Sequence, residues 1–242
     1  MSTAVLDYAA SAIEDRTPRA VDRLRSVTAA GDFGRVEWHW PVPSAAFSRL
    51  DTRRPDFDRA RAEVAACGFR PFIRPVGGKF VAYDQGWLVL DLFVRSQDPR
   101  VGTTARFRAM ADVLAEGLRD LGADARVGQV PGEYCPGDWS VNIAGRTKIV
   151  GTGQRLTSTG VLFTAVIAVT DIEPAHRVMA QAYEHLGYDL DESSIGSLEQ
   201  HLPGVTHADV LEAVGGAIAR HLPVSDPQHG FSRALLGTWD PR

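Results

Sequence analysis

The run Trp87-Leu88-Val89-Leu90-Asp91-Leu92-Phe93-Val94-Arg95 limits the fold of this chain more than any other segment. Successive side chains of an extended backbone alternate between faces. Leu88, Leu90, Leu92 and Val94 therefore share one face, and Trp87, Val89, Asp91 and Phe93 the other. Both faces are mostly apolar, and such a strand is stable only when layers cover it on both sides. It belongs inside a sheet, not at its surface.

The surrounding pattern supplies the layers. Residues 103–121 read as the clearest helix, with Phe107, Met110, Ala111, Leu114, Leu118 and Leu121 at helical spacing, Thr103 as its cap and Gly122 as its stop. Further helices are expected at 4–16, 20–30, 174–186 and 207–221, the last capped by Thr206 with Asp209. Pro18 separates the first two. Strands are expected at 36–40 and 160–170. Cys67 closes a helix that ends at Gly68, and reads as a packing residue. Without repeats or low-complexity linkers, the order suits one α/β domain over residues 1–242: a mixed sheet flanked by helices, with its core at about 31–222 and a tail at 223–242.

Composition narrows the setting. With 44% hydrophobic and 23% charged residues the chain reads as ordinary globular protein. Asp7, Glu14 and Asp15 come early without a basic leader, and no apolar run reaches the roughly 18 residues of a membrane span, so a cytoplasmic location is expected. The net charge of −4 argues against broad nucleic-acid binding. Arg49, Arg53, Arg54, Arg59 and Arg61 form a basic run that could dock an acidic partner or simply be a solvated face.

The chemistry concentrates in Glu133-Tyr134-Cys135-Pro136-Gly137 and Gly145-Arg146-Thr147-Lys148, followed by Gly151, Thr152, Gly153 and Gln154. A thiolate attacks acyl carbonyls well, but an ordinary cysteine is mostly protonated at neutral pH and needs a nearby cation or dipole. Lys148 is a candidate cation, and Gly151 and Gly153 read as a turn with uncovered backbone amides. Cys135 lies among turn residues, where packing is a poor explanation for it. The seven histidines show no metal-ligand spacing, so no metal is expected.

These residues carry a resemblance. The segment from Cys135 to Arg155 resembles the lipoate/octanoate transferase and ligase family, in which a lysine in a G-(R/K)-K-x-x-G-x-x-Q pattern contacts the activated acyl group. Lys148 matches that lysine, although one extra residue separates it from Gly145. Arg74-Pro75-Val76-Gly77-Gly78-Lys79, with Asp84 and Gly86, resembles the family's R-x-S-G-G-x-x-V-x-x-D-x-G signature of the acyl pocket. Arg49-Leu50-Asp51-Thr52-Arg53-Arg54-Pro55 is similar to the D-T-R-L-P run of the octanoyl amidotransferase branch, and the likeness spans about 36–169.

The resemblance implies the biotin/lipoyl protein ligase catalytic fold, related to class II aminoacyl-tRNA synthetases. It also implies an acyl tunnel with Gly77-Gly78 and Lys148 on opposite walls. Arg74, Val76, Gly77, Gly78, Lys79, Asp84, Gly151, Thr152, Gly153 and Gln154 are then expected to bind substrate, and Cys135 and Lys148 to be catalytic. Val76 and Lys79 replace the serine and third glycine of adenylating ligases, which favours a cysteine thioester over ATP and magnesium. The implied reaction carries an octanoyl or lipoyl group, without a separate cofactor, between glycine cleavage H-type carriers, or acyl carrier protein, and lipoyl domains. An ATP-dependent ligase and a non-catalytic binder of acylated carriers are the alternatives. The tunnel is expected to be narrow and apolar, and replacing Lys148 to cost activity with little change in folding.

Overall fold

A computed structural model of the chain describes residues 34–221 except 97 and 159, together with 22, 24–25, 224–226 and 230–231. The helices expected at 4–16 and 20–30 lie outside the described residues, apart from Asp22, Leu24 and Arg25, as does most of the tail.

The strand that is apolar on both faces is β5 (Trp87–Arg95), buried along its length to Val94. It pairs antiparallel with β1 (Gly34–His39) on one side and β9 (Gly160–Ala168) on the other. The sheet continues through β8 (Thr147–Leu156), β7 (Val141–Ile143) and β6 (Ala125–Val127), in the order β1-β5-β9-β8-β7-β6. A smaller sheet places β2 (Ser44–Phe47) between β3 (Arg70–Ile73), parallel to it, and β4 (Val81–Tyr83), antiparallel. Val224–Asp226 and Gly230–Phe231 pair as β10 and β11.

Each face of β5 has its own core. Leu88, Leu90, Leu92 and Val94 pack with α2 (Thr103–Asp120) and α4 (His207–His221). Those helices touch where a Cβ on Gly117 would stand 2.7 Å from Val214 Cα, so only glycine fits there. Trp87 and Val89 pack instead with the small sheet and with α1 (Phe57–Ala66) and α3 (Glu173–Leu186). Complete burial of a leucine or phenylalanine is worth about 1.5–3 kcal/mol, so the pattern of β5 alone dictates layers on both sides.

Local details differ in places from the expectation. The cap of α2 is Gly102 in left-handed conformation; Thr103 is already helical, and its hydroxyl donates back to Arg100 O at 3.0 Å. Thr206 and Asp209 do form the reciprocal cap of α4. Cys67 is exposed at the end of α1, its Sγ 3.6 Å from Gln181 Oε1, and is not a packing residue: α1 buries only Ala60 and Val64. Residues 151–153 form part of β8 and not a turn.

One irregularity in β8 positions the site. Asn142 pairs with Lys148 and Val141 with Val150, so β8 carries one extra residue against β7, a β-bulge. Ile149 and Val150 consequently both enter the core under α2 and α4. Lys148, Gly151 and Gly153 then share the opposite face.

Candidate active site

A cavity of about 450 Å³ lies on that opposite face. Its floor comes from β5, β9 and β8 through Val89, Asp91, Thr164, Val166, Gly151 and Gly153. The loop Arg74–Gly78 and the segment Tyr134–Gly137 form its walls. The missing side chain matters at Gly153, where a Cβ would stand 3.2 Å from Val76 Cγ2, while one at Gly151 would meet its neighbours only at ordinary contact distance.

Cys135 sits at the cavity with φ of +41°, a conformation that costs a non-glycine residue energy unless its surroundings enforce it. They do. The Cys135 N–H donates to Tyr183 Oη at 2.6 Å, and that hydroxyl donates to Phe80 O at 3.2 Å. On the other side the Lys148 ammonium donates to Cys135 O at 3.0 Å, Tyr134 O at 2.9 Å and Glu133 Oε1 at 3.1 Å. Glu133 in turn accepts from Val130 N–H, Gly137 N–H and Ser140 Oγ. Lys148 and Glu133 form a fully buried ion pair that clamps the cysteine loop.

The sulfur faces the glycine loop. Lys79 N–H donates to Cys135 Sγ at 3.2 Å, and Arg74 Nη2, which also donates to Lys79 O, stands 3.6 Å away. Gly78, at φ +101°, makes this approach possible: its Cβ would lie 2.5 Å from Sγ and 2.7 Å from Arg74 Nη2. Burial pushes the thiol pKa up, but the Arg74 charge, then the Lys148 charge and the hydrogen bonds from Lys79 and Arg74 outweigh it. Cys135 therefore titrates below an ordinary cysteine. Burial depresses the Lys148 pKa, with the charge of Glu133 opposing it.

Several expected roles change. The stronger cation at the sulfur is Arg74, and all three donor directions of Lys148 are spent on the loop. The Lys79 side chain turns away over the Tyr188 ring, so only its backbone meets the thiol. Asp84 does not line the cavity; its carboxylate closes a turn by accepting from Gly86 N–H at 3.0 Å. Thr152 and Gln154 do line it, but the Gln154 amide is engaged by Arg106 Nε and Thr103 O, which tie β8 to the start of α2. Of the basic run, Arg54 is drawn to Leu186 O, Gly187 O and the Tyr188 ring, and Arg59 to Glu63, while Arg49, Arg53 and Arg61 stay exposed.

Comparison with known proteins gives the family. The model of the lipoyl protein ligase A/B catalytic domain matches residues 54–219. The chain belongs to that family. Among curated lipoyl protein ligase A/B relatives, an octanoyl-[GcvH]:protein N-octanoyltransferase of Geobacillus kaustophilus is 27% identical over 167 residues, covering 69% of this chain and 59% of its own length. A lipoyl-[GcvH]:protein N-lipoyltransferase of Listeria monocytogenes is 25% identical, covering 49% of this chain and 42% of its own length. The chain thus spans about half the length of the curated relatives it matches. Lipoate-protein ligase A bound with ATP shares the fold with a TM-score of 0.67 and 18% identity, over 97% of this chain and 90% of that one. A bi-partite lipoate protein ligase from Thermoplasma acidophilum gives 0.66 and 19%, over 97% and 88%.

Within this lipoyl protein ligase A/B domain, the sequence alone shows no role for Glu133 or Tyr183, and shows Asp91 only as a polar residue on a strand face. Glu133 stands beside the cysteine motif, but nothing in its spacing shows that it meets Lys148 across a folded loop. Tyr183 lies in the apolar stripe of α3, where a phenol reads as core. Among the described residues, no group of three or more His, Cys, Asp or Glu could hold a metal ion, and no helix is long and apolar enough to cross a membrane.

Proposed function

We propose that this chain is an acyltransferase that moves an octanoyl or lipoyl group from one carrier protein to a lysine of another through a thioester on Cys135. One observation carries the reading: the Cys135 sulfur is held at the cavity between a guanidinium and a backbone N–H, the environment that makes a thiolate nucleophile. The names of the octanoyl- and lipoyl-transferring relatives support the same acyl class.

In the first step the Cys135 sulfur attacks the acyl carbonyl of the donor. A sulfur–carbon bond forms, the donor's bond to the acyl carbon breaks, and the thiol proton leaves with the donor's amine. The acceptor lysine then attacks the thioester, its nitrogen bonds the acyl carbon, and the sulfur departs with the amine's surplus proton. Arg74 stabilises the negative charge that builds on the sulfur as it attacks and again as it departs, and Lys148 with Glu133 keeps the cysteine loop in its inverted conformation. Glycine cleavage H-type carriers and lipoyl domains are the partners in this reading, the cytoplasm is the compartment, and no cofactor is needed beyond the covalently held acyl group.

Intact-protein mass spectrometry after incubation with octanoylated carrier, without ATP, tests the proposal. The native chain and Cys67→Ala gain one octanoyl group, and Cys135→Ala gains none. Full transfer by Cys135→Ala, or attachment of free lipoate only when ATP is supplied, refutes it.

A further inference from the structure

The rim of the cavity carries a surface that the chemistry does not use. β2 and β3 run parallel, so their C-terminal ends lie side by side, with Phe47 opposite Ile73 and the Arg74 N–H donating to Phe47 O at 2.8 Å. Arg74 then enters the cavity wall, and the exposed Gly77 and Gly78 follow it there. Leu50 comes three residues after β2. This end of the small sheet therefore borders the site, and it displays Leu50, 50% exposed, and Ile73, 41% exposed. Of the exposed large apolar side chains among the described residues, only Val101, ahead of α2, lies elsewhere.

The display is held in place from within. Asp51 is fully buried, and its carboxylate accepts from Ser48 N–H at 2.6 Å and from Tyr188 Oη at 2.9 Å. Ser48 Oγ accepts from the N–H groups of Leu50 and Asp51, and Thr52 Oγ1 donates to Arg49 O. The turn thus points its one carboxylate inward and leaves Arg49, Leu50 and Arg53 exposed. A surface fixed before contact loses little freedom on binding. Arg59 is paired with Glu63, but Arg49 and Arg53 are paired with no carboxylate among the described residues. The Lys79 ammonium, 4.7 Å above the ring of the same Tyr188, adds to their charge. In a chain of net charge −4 this rim is locally positive, so an acidic partner is drawn here and discouraged elsewhere.

We infer that Leu50 and Ile73, flanked by Arg49, Arg53 and Lys79, dock the acidic face of a carrier domain that brings its acylated lysine to Cys135. The inference rests on the proposed function and adds where its partner sits. In that reading the acyl group hangs on a single lysine side chain, which reaches Cys135 only if the carrier seats its own surface at the rim. Apolar contact at Leu50 and Ile73 supplies adhesion, and the arginines orient the carrier.

Calorimetry with an octanoylated glycine cleavage H-type carrier and the full chain bearing Cys135→Ala reads docking without turnover. Adding Arg49→Glu and Arg53→Glu is expected to weaken binding about tenfold or more, because attraction becomes repulsion. Leu50→Glu is expected to weaken it about fivefold or more by pressing a charge into an apolar contact. Arg108→Glu with Arg119→Glu, the same change of charge placed on α2 across the large sheet, is expected to change it less than about twofold. Added salt, which needs no substitution at the rim, should weaken binding of the unaltered rim. The inference is overturned if the carrier does not bind, if either rim variant binds as tightly as the unaltered rim, or if the α2 variant loses as much. Self-association that Leu50→Glu abolishes would also overturn it, since the rim would then meet a second copy of this chain. The chemistry is read separately with the small thioester S-octanoyl-N-acetylcysteamine and the chain with Cys135 intact, which the rim variants should cleave at the native rate. Failure of Cys135 to take up octanoyl from it, with docking kept, sinks the transferase reading and leaves the docking surface standing; uptake without docking at the rim does the reverse.

Discussion

Replacing Lys148 with methionine separates a clamp from a surface catalyst. The lysine and glutamate side chains of the pair are 1% and 0% exposed, and the ammonium donates to one carboxylate and two loop carbonyls. Methionine fills a similar length and donates nothing. Glu133 keeps its three other donors, but Tyr134 O and Cys135 O lose theirs. Breaking a buried pair from one side costs about 3–5 kcal/mol, and each buried carbonyl left unsatisfied accounts for about 1–3 kcal/mol. In a domain of this size a loss of that order lowers Tm by about 6–20 °C.

Urea unfolding followed by tryptophan fluorescence measures the loss, and Lys148→Met with Glu133→Gln should recover at least about 1 kcal/mol, since no charge is then buried alone. The pH dependence has a definite sign. Burial depresses the Lys148 pKa below its unfolded value, so the unfolded chain holds that proton more tightly and stability from this group rises as pH increases into the alkaline range. The gap between the native chain and Lys148→Met should therefore widen from neutral to alkaline pH. A methionine variant within about 0.5 kcal/mol of the native chain, the range of surface substitutions, would refute the clamp.

Three further outcomes follow from the same geometry. Arg74→Met should move the pH profile of Cys135 alkylation by iodoacetamide upward, because the largest of the influences lowering the thiol pKa is gone; an unchanged profile would rule Arg74 out as its partner. Gly78→Ala should abolish acyl-enzyme formation while the chain still folds, since its Cβ would occupy the space of Sγ and Arg74 Nη2; mass spectrometry and circular dichroism together read both parts. Tyr183→Phe should cost about 1–3 kcal/mol of stability by leaving the Cys135 N–H without its acceptor, and should slow alkylation of Cys135; normal kinetics would show that the loop holds its shape without the phenol.

What the sequence made legible was whatever repeats within a few residues. The double-sided apolar pattern of β5 fixed its burial, and helical spacing found α2 and α4, because neighbours along a strand or helix obey a fixed period. The glycine loop was legible for a related reason: Gly77-Gly78 stands out even before Gly78 is seen against the sulfur. Arg74 meets Cys135 across 61 residues and Tyr183 meets it across 48. Such contacts have no local signature, which is why the nearer lysine was favoured over the arginine as the activating cation. Asp91 was read as one polar residue in an apolar strand; only the register with Thr164 and Gly153 turns it into part of a cavity floor.

The bulge in β8 makes the count of residues between Lys148 and Gly151 as important as their identity. In an unbroken strand, positions three apart point in opposite directions. Removing a single residue from this stretch would therefore force a choice: either the ammonium is driven among the leucines beneath α2, or the glycine surface is, and the cavity closes with whichever stays behind. The hairpin loop before it turns at Ala144 and Gly145, both at positive φ, and is held by their N–H groups, which donate to Asp124 O and Asn142 Oδ1. Three residues further on, an insertion or deletion would destroy the site while leaving every one of its side chains in the sequence.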